Sequence, residues 1–133
     1  MPKVLLVDDS KFSRGRLRAA LTGLAADISE ATNGLEALEQ LAIVTPDVIV
    51  TDLLMPGMNG LELLTELRTR ELTTPVIIVS ADIQESTKSA CAQYGVQAFL
   101  NKPFTAAELR DAVEAALAAG TAPARSAVVG TAP

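Results

Sequence analysis

The chain contains no histidine and a single cysteine, Cys91, and only 3% of its residues are aromatic. Without histidine, the commonest general base and a principal zinc ligand are missing. One cysteine excludes an internal disulfide framework and a multi-cysteine metal site, and it fits a reducing compartment. Within KSACAQYG it reads as a small buried hydrophobe rather than a reactive thiol. With so few rings in a chain that is 49% hydrophobic, the core must be built from Leu, Val, Ile and Ala, as in layered helix-and-sheet proteins. No apolar run approaches the roughly 18 residues of a membrane span, and no leader pattern opens the chain. The expectation is a soluble cytoplasmic protein away from membranes. A net charge of −5 argues against direct nucleic-acid binding.

What the chain does have is alternation. At 133 residues it is one domain's worth. Five short runs rich in β-branched or aliphatic residues punctuate it: KVLLV (3–7), ADISEA (26–31), DVIVT (47–51), PVIIVS (75–80) and QAFLN (97–101). Helix-period segments lie between and after them. Their stripes are Leu17, Leu21 and Leu24; Leu35, Leu38 and Leu41; Leu61, Leu64 and Leu67; and Leu109, Val113, Ala116 and Leu117. The fourth segment, roughly 84–94, is weaker in apolar pattern and reads as a mobile or partner-facing helix. Asn33-x-x-Glu36, Asn59-x-x-Glu62, Asp82-x-x-Glu85 and Thr105-x-x-Glu108 each place a capping side chain three residues before a carboxylate, the pattern that satisfies free amides at a helix start. One of Asp8 and Asp9 is expected to cap the first helix as well. Alternating strand and helix predicts a doubly wound parallel sheet with helices on both faces. In such folds function sits at the carboxyl ends of the strands.

At those ends stand Asp8 and Asp9 after the first strand, Asp52 after the third, Ser80 closing the fourth and Lys102 after the fifth. Three carboxylates at close range repel and tend to hold their protons. A divalent cation and the Lys102 ammonium would balance them. Oxygen ligands without His or Cys favour a hard ion such as Mg²⁺, which keeps much of its shell as water. An open metal shell beside a carboxylate suits phosphoryl transfer, and a carboxylate can be the nucleophile, giving an aspartyl phosphate. Asp52, at the end of a central strand, is best placed for that role. Taken singly, Ser80 is an ordinary strand-end hydroxyl and Lys102 a solvated lysine. Lys11, Arg14, Arg16 and Arg18 give the first helix a basic face, either solvated or a docking surface for an acidic partner.

The segments VLLVDDS, DVIVTDLLMPGMNGLELL, VIIVSA and FLNKPF resemble, in order, the four signature segments of the receiver domain of bacterial two-component response regulators, of the CheY-like single-domain type. The resemblance covers about residues 2–119 and leaves 120–133 as a Gly, Ala, Thr and Pro-rich tail. It implies a flavodoxin-like five-stranded sheet of order 2-1-3-4-5 and transfer of a phosphoryl group from a sensor histidine kinase to Asp52. It further implies that Asp9 binds Mg²⁺ directly, that Asp8 acts mainly through a metal-bound water, and that the Leu54 backbone carbonyl completes the protein ligands. Lys102 would contact the phosphoryl oxygens, Ser80 would swing toward them, and Phe99 matches the aromatic switch position. Lys102-Pro103 resembles the family's cis peptide, which would aim the lysine into the site.

Leu54 and Asp82, each two residues after a site residue, would flank the path of an attacking water and tune the lifetime of the phosphoryl group. Signal output would be protein contact, with a downstream protein or phosphatase on the face formed by the fourth helix, fifth strand and fifth helix. Chemotaxis is the pathway the resemblance leans toward. A Mg²⁺-dependent phosphatase or phosphotransferase with an Asp nucleophile is the rival reading, but such enzymes usually place a second acid where this chain has Leu54. A nucleotide- or flavin-binding domain lacks its glycine-rich loop, since the first strand is followed by DDSKFS. The tail is a disordered end, a docking tail or a linker stub of a longer regulator.

Overall fold

The computed structural model describes residues 1–81 and 84–119. Strand and helix alternate strictly: β1 (Lys3–Val7), α1 (Lys11–Ala20), β2 (Asp27–Ala31), α2 (Gly34–Leu41), β3 (Val48–Thr51), α3 (Gly60–Thr69), β4 (Val76–Ser80), α4 (Glu85–Ala92), β5 (Ala98–Asn101) and α5 (Ala106–Ala119). The strands form one parallel sheet in the order β2-β1-β3-β4-β5. Because β1 lies between β2 and β3, the chain first winds to one side of β1 and then to the other. That reversal opens a crevice beyond the carboxyl ends of β1 and β3.

The apolar runs become the central strands because both of their faces are covered. β3 and β4 are buried along their whole length, and β1 at every residue after Lys3. Alternation along each strand divides the core in two. Leu5, Val7, Ile49 and Ile78 pack with α2, α3 and Cys91 of α4. Val4, Leu6, Val50, Ile77 and Val79 pack with Leu17 of α1, with Leu21 just after it, and with Leu109 and Val113 of α5. Cys91 is fully buried, and burial pushes its thiol above the usual range, as a cysteine used for packing should behave. Among the described residues no helix is long and apolar enough to cross a membrane.

Local detail corrects the sequence reading in several places. Leu35 does not belong to the buried stripe of α2; it is 56% exposed, and Ala37 and Leu38 carry the contact instead. The helix starts so close to Leu35 that the apolar face is set by its neighbours. Asn59 with Glu62, and Thr105 with Glu108, cap reciprocally. Asn33 accepts from the Glu36 amide, but the Glu36 carboxylate reaches back to the Thr32 amide. Gln84 is the residue before α4 and makes no side-chain cap bond; Asp82, the expected cap, lies outside the described residues, as does the 120–133 tail. Ser10, rather than Asp8 or Asp9, caps α1 by accepting from the Ser13 amide at 3.1 Å.

The basic face of α1 is likewise divided. Arg14 and Arg18 both donate to Glu30 on β2, at 2.9 and 2.7 Å, so these two cations tie helix to sheet. Lys11 and Arg16 remain exposed, Arg16 with its guanidinium 5.9 Å from the centre of the Phe12 ring. Hydrogen bonds from Arg18 first, then Arg14, hold the Glu30 carboxyl below the ordinary glutamate range.

The start of α3 is pressed against the end of β3. A Cβ on Gly60 would stand 2.3 Å from the Asp52 carbonyl oxygen, and the Gly60 amide donates to the Leu53 carbonyl at 3.0 Å. A backbone atom cannot swing aside, so any side chain here must push the helix away. Gly60→Ala is expected to lower stability by about 1–3 kcal/mol, read as a lower urea midpoint. An unchanged midpoint would show that the approach is not needed.

A depressed carboxyl stabilises the fold above its unfolded pKa of about 4.3 and loses that contribution as pH falls through its folded value. Glu30→Gln should therefore cost about 0.5–1 kcal/mol at pH 7. The gap from wild type should close as pH falls below about 4; a gap that stays constant to low pH would contradict the ion-pair origin.

Candidate functional site

Backbone bonds that continue the sheet past its strand ends aim three side chains into the crevice. The Asp8 amide donates to the Ala31 carbonyl at 3.1 Å, pinning Asp8 beside β2. The Asp52 amide donates to the Val7 carbonyl at 3.0 Å, pinning Asp52 beside β1. The Lys102 amide donates to the Ser80 carbonyl at 3.0 Å, pinning Lys102 beside β4. The Lys102-Pro103 peptide is cis.

The side chains then meet. Lys102 Nζ donates to Asp52 Oδ2 at 2.9 Å, to Asp8 Oδ2 at 3.1 Å and to Ser13 Oγ at 2.8 Å. Asp8, 1% exposed, also accepts from the Ser10 amide at 2.9 Å and the Ser13 hydroxyl at 2.6 Å. The other oxygen of Asp52 accepts from the Leu54 amide at 3.2 Å. Burial alone would lower the Lys102 ammonium. Hydrogen bonds to Asp52 and Asp8 outweigh it and hold the group above the ordinary lysine value, so the lysine is fully charged at neutral pH. These groups line a cavity of about 500 Å³ that also takes in Asp9, Phe12 and Phe104.

Three of the five expected polar groups, Asp8, Asp52 and Lys102, are therefore in contact. Asp9 is exposed on the cavity lining. The three-acid cluster read from the sequence is here two acids bridged by a lysine, with the third at the rim. Among the described residues no group of three acids stands ready to hold a metal ion. Lys102 bridges Asp8 and Asp52, while the exposed Asp9 stands apart from them. The donor chemistry nonetheless fits a hard dication, because every ligand on offer is an oxygen and the paired carboxylates carry more negative charge than one ammonium offsets.

Ser80 closes β4 fully buried, and its hydroxyl has no hydrogen-bond partner among the described residues. Such an orphan costs about 1–3 kcal/mol and calls for an acceptor. Phe99 is half-buried on β5 against the α3 and α4 side of the core, with the Lys88 ammonium of α4 5.6 Å from its ring centre. Leu54 is 63% exposed beside Asp52. Asp82 lies outside the described residues.

Two site residues were not singled out from the sequence. Ser13 sits within a basic helical stretch where a serine reads as solvated, and nothing local reveals that its hydroxyl faces Asp8 and Lys102. Gly60 could have been flagged, since a glycine directly after the Asn59 cap marks a close approach.

The comparisons with known proteins agree with this fold. The model of the response regulator receiver domain matches residues 4–114. The chain is 40% identical over 114 residues to the DNA-binding transcriptional regulator NtrC of Escherichia coli strain K12, covering 86% of this chain but 24% of NtrC. It thus spans about a quarter of that relative. It is 34% identical over 117 residues to the chemotaxis protein CheY of Listeria monocytogenes, covering 87% of this chain and 98% of CheY. Among solved structures, a Francisella response regulator receiver domain superposes with a TM-score of 0.81 at 35% identity, covering 89% of this chain and 98% of that one. With its strand order, its paired acids and its lysine all in place, the chain belongs to the receiver domain family of two-component response regulators.

Proposed function

We propose that Asp52 is the phosphoacceptor of this receiver and that a sensor histidine kinase is the phosphodonor. The observation that carries this reading is the Lys102 ammonium held between Asp52 and Asp8 at 2.9 and 3.1 Å. With the Leu54 amide on its other oxygen, Asp52 is a carboxylate lining a cavity, oriented and next to a cation.

An oxygen of Asp52 forms the new P–O bond as the P–N bond to the kinase's histidine breaks, and the histidine nitrogen keeps the electron pair. The Leu54 amide, on the other Asp52 oxygen, keeps the carboxylate turned for attack. Lys102 exchanges a carboxylate partner for the phosphoryl oxygens, and the unpartnered Ser80 hydroxyl gives them a donor. Asp9, Asp52 and the Leu54 carbonyl, with Asp8 acting mainly through water, would hold Mg²⁺, which would supply charge neutralisation for the transferred group. The domain takes up one group per molecule rather than turning over a substrate.

Ser80 moving toward the phosphoryl group draws Phe99 inward, and Phe99 leaves Lys88. The α4, β5 and α5 face then differs between the two forms, and a downstream protein or phosphatase reads the difference. Lys11 and Arg16 of α1 remain for an acidic partner. The matched region is nearly all of the CheY relative and about a quarter of NtrC, and the same chemistry serves either setting. The CheY relative is what favours chemotaxis as the pathway. A kinase donor using ATP places the domain in the cytoplasm.

Incubation with acetyl phosphate and Mg²⁺ should add one phosphoryl group by intact mass, and Asp52→Ala should add none. Unlabelled wild type, or labelled Asp52→Ala, would overturn the assignment. After donor removal, Leu54→Asn should lose the label faster than wild type, because an amide at this position can orient the attacking water and an exposed leucine cannot. Equal decay rates would remove Leu54 from the tuning pair it forms with Asp82.

A further inference from the structure

We propose that Ser13 is a positioning residue that sets how readily a divalent cation enters the site. The inference rests on the reading of Asp8 and Asp52 as cation ligands. Ser13 Oγ donates to Asp8 Oδ2 at 2.6 Å and accepts from Lys102 Nζ at 2.8 Å, while Lys102 Nζ donates to the same Asp8 oxygen at 3.1 Å. Hydroxyl, ammonium and carboxylate close a triangle at the base of the cavity. Ser13 is held there by α1, whose first turn is fixed by the Ser10 cap and by Arg14 donating to the Asp8 carbonyl at 2.7 Å.

The triangle favours the arrangement in which Lys102 neutralises Asp8. A hydrated dication that engages Asp8 Oδ2, directly or through water, must compete with the two donors already on it, and Lys102 must give up its Ser13 acceptor as it leaves. Asp8 is 1% exposed, so water cannot readily replace a lost donor there. Without the Ser13 hydroxyl, the closed arrangement keeps a buried carboxylate oxygen short of a donor and an ammonium short of an acceptor. Both costs fall on the form without the cation. Ser13 therefore weakens cation binding and keeps Lys102 docked until binding pulls it away.

The test is Mg²⁺ titration followed by backbone amide shifts in ¹H–¹⁵N spectra, which also show that each variant is folded. Ser13→Ala should bind about three- to tenfold tighter than wild type. Ser13→Thr should bind like wild type, and Ser13→Val, of the same shape without the hydroxyl, should match Ser13→Ala. The gain should shrink when Ser13→Ala is made in a Lys102→Met background. Unchanged or weaker binding by Ser13→Ala and Ser13→Val would overturn the proposal, as would a full gain that persists without Lys102. Wild type with no saturable Mg²⁺ shift would instead overturn the cation-ligand reading, a separate outcome.

Discussion

Two carboxylates at the ends of adjacent central strands, both largely withdrawn from water, are the constraint on which the rest of the site depends. The sheet dictates their closeness, because the Asp52 amide is bonded to the last carbonyl of β1 and Asp8 follows that strand. Left alone the pair would repel. Lys102, from the far side of β4, bridges them. A buried pair of this kind adds little net stability. Removing one partner strands the other, at a cost of about 3–5 kcal/mol, so the lysine is held in the site by what its departure would cost.

That arrangement is stable but unsatisfied. One ammonium faces two buried acids with Asp9 close by, and Ser80 hides a hydroxyl that lacks a partner. A dication and a phosphoryl group would settle both accounts, bringing positive charge for the acids and acceptor oxygens for Ser80 and Lys102. A site whose resting state leaves such groups wanting can move when those ligands arrive, because the new contacts exist only in the second state. In the proposed switch Phe99 on β5 would connect the movement to the surface, and its contact with Lys88 on α4 is of the size, about 0.5–1 kcal/mol, that such an exchange can break. Gly60 lets α3 start against the Asp52 backbone.

Much of this was legible in the sequence because the signals were redundant. The five apolar runs became the five strands to within a residue at either end, since burial on both faces leaves no room for polar interruption in VLLV or VIV. Asp8, Asp52 and Lys102 could be grouped because strand ends in a parallel sheet share one edge. What stayed hidden depends on side-chain direction. Leu35 shares a helical spacing with Leu38 yet faces water, Arg14 and Arg18 are paired with Glu30 across a helix–sheet contact, and Ser13 meets a lysine 89 residues away. None of these can be read from spacing along one element, because each is decided by how two elements pack. Spacing likewise does not show that Lys102 bridges Asp8 and Asp52 while Asp9 stays exposed at the rim.

The central claim is that Lys102 exchanges Asp8 for a phosphoryl group carried by Asp52. A crystal structure of the domain with Mg²⁺ and beryllofluoride, a phosphoryl analogue, tests it most directly. The account predicts the analogue on Asp52, Lys102 Nζ on its fluorines and no longer on Asp8 Oδ2, and the Ser80 hydroxyl turned to it. An analogue bound elsewhere, or Lys102 still bridging Asp8 and an unmodified Asp52, would contradict it.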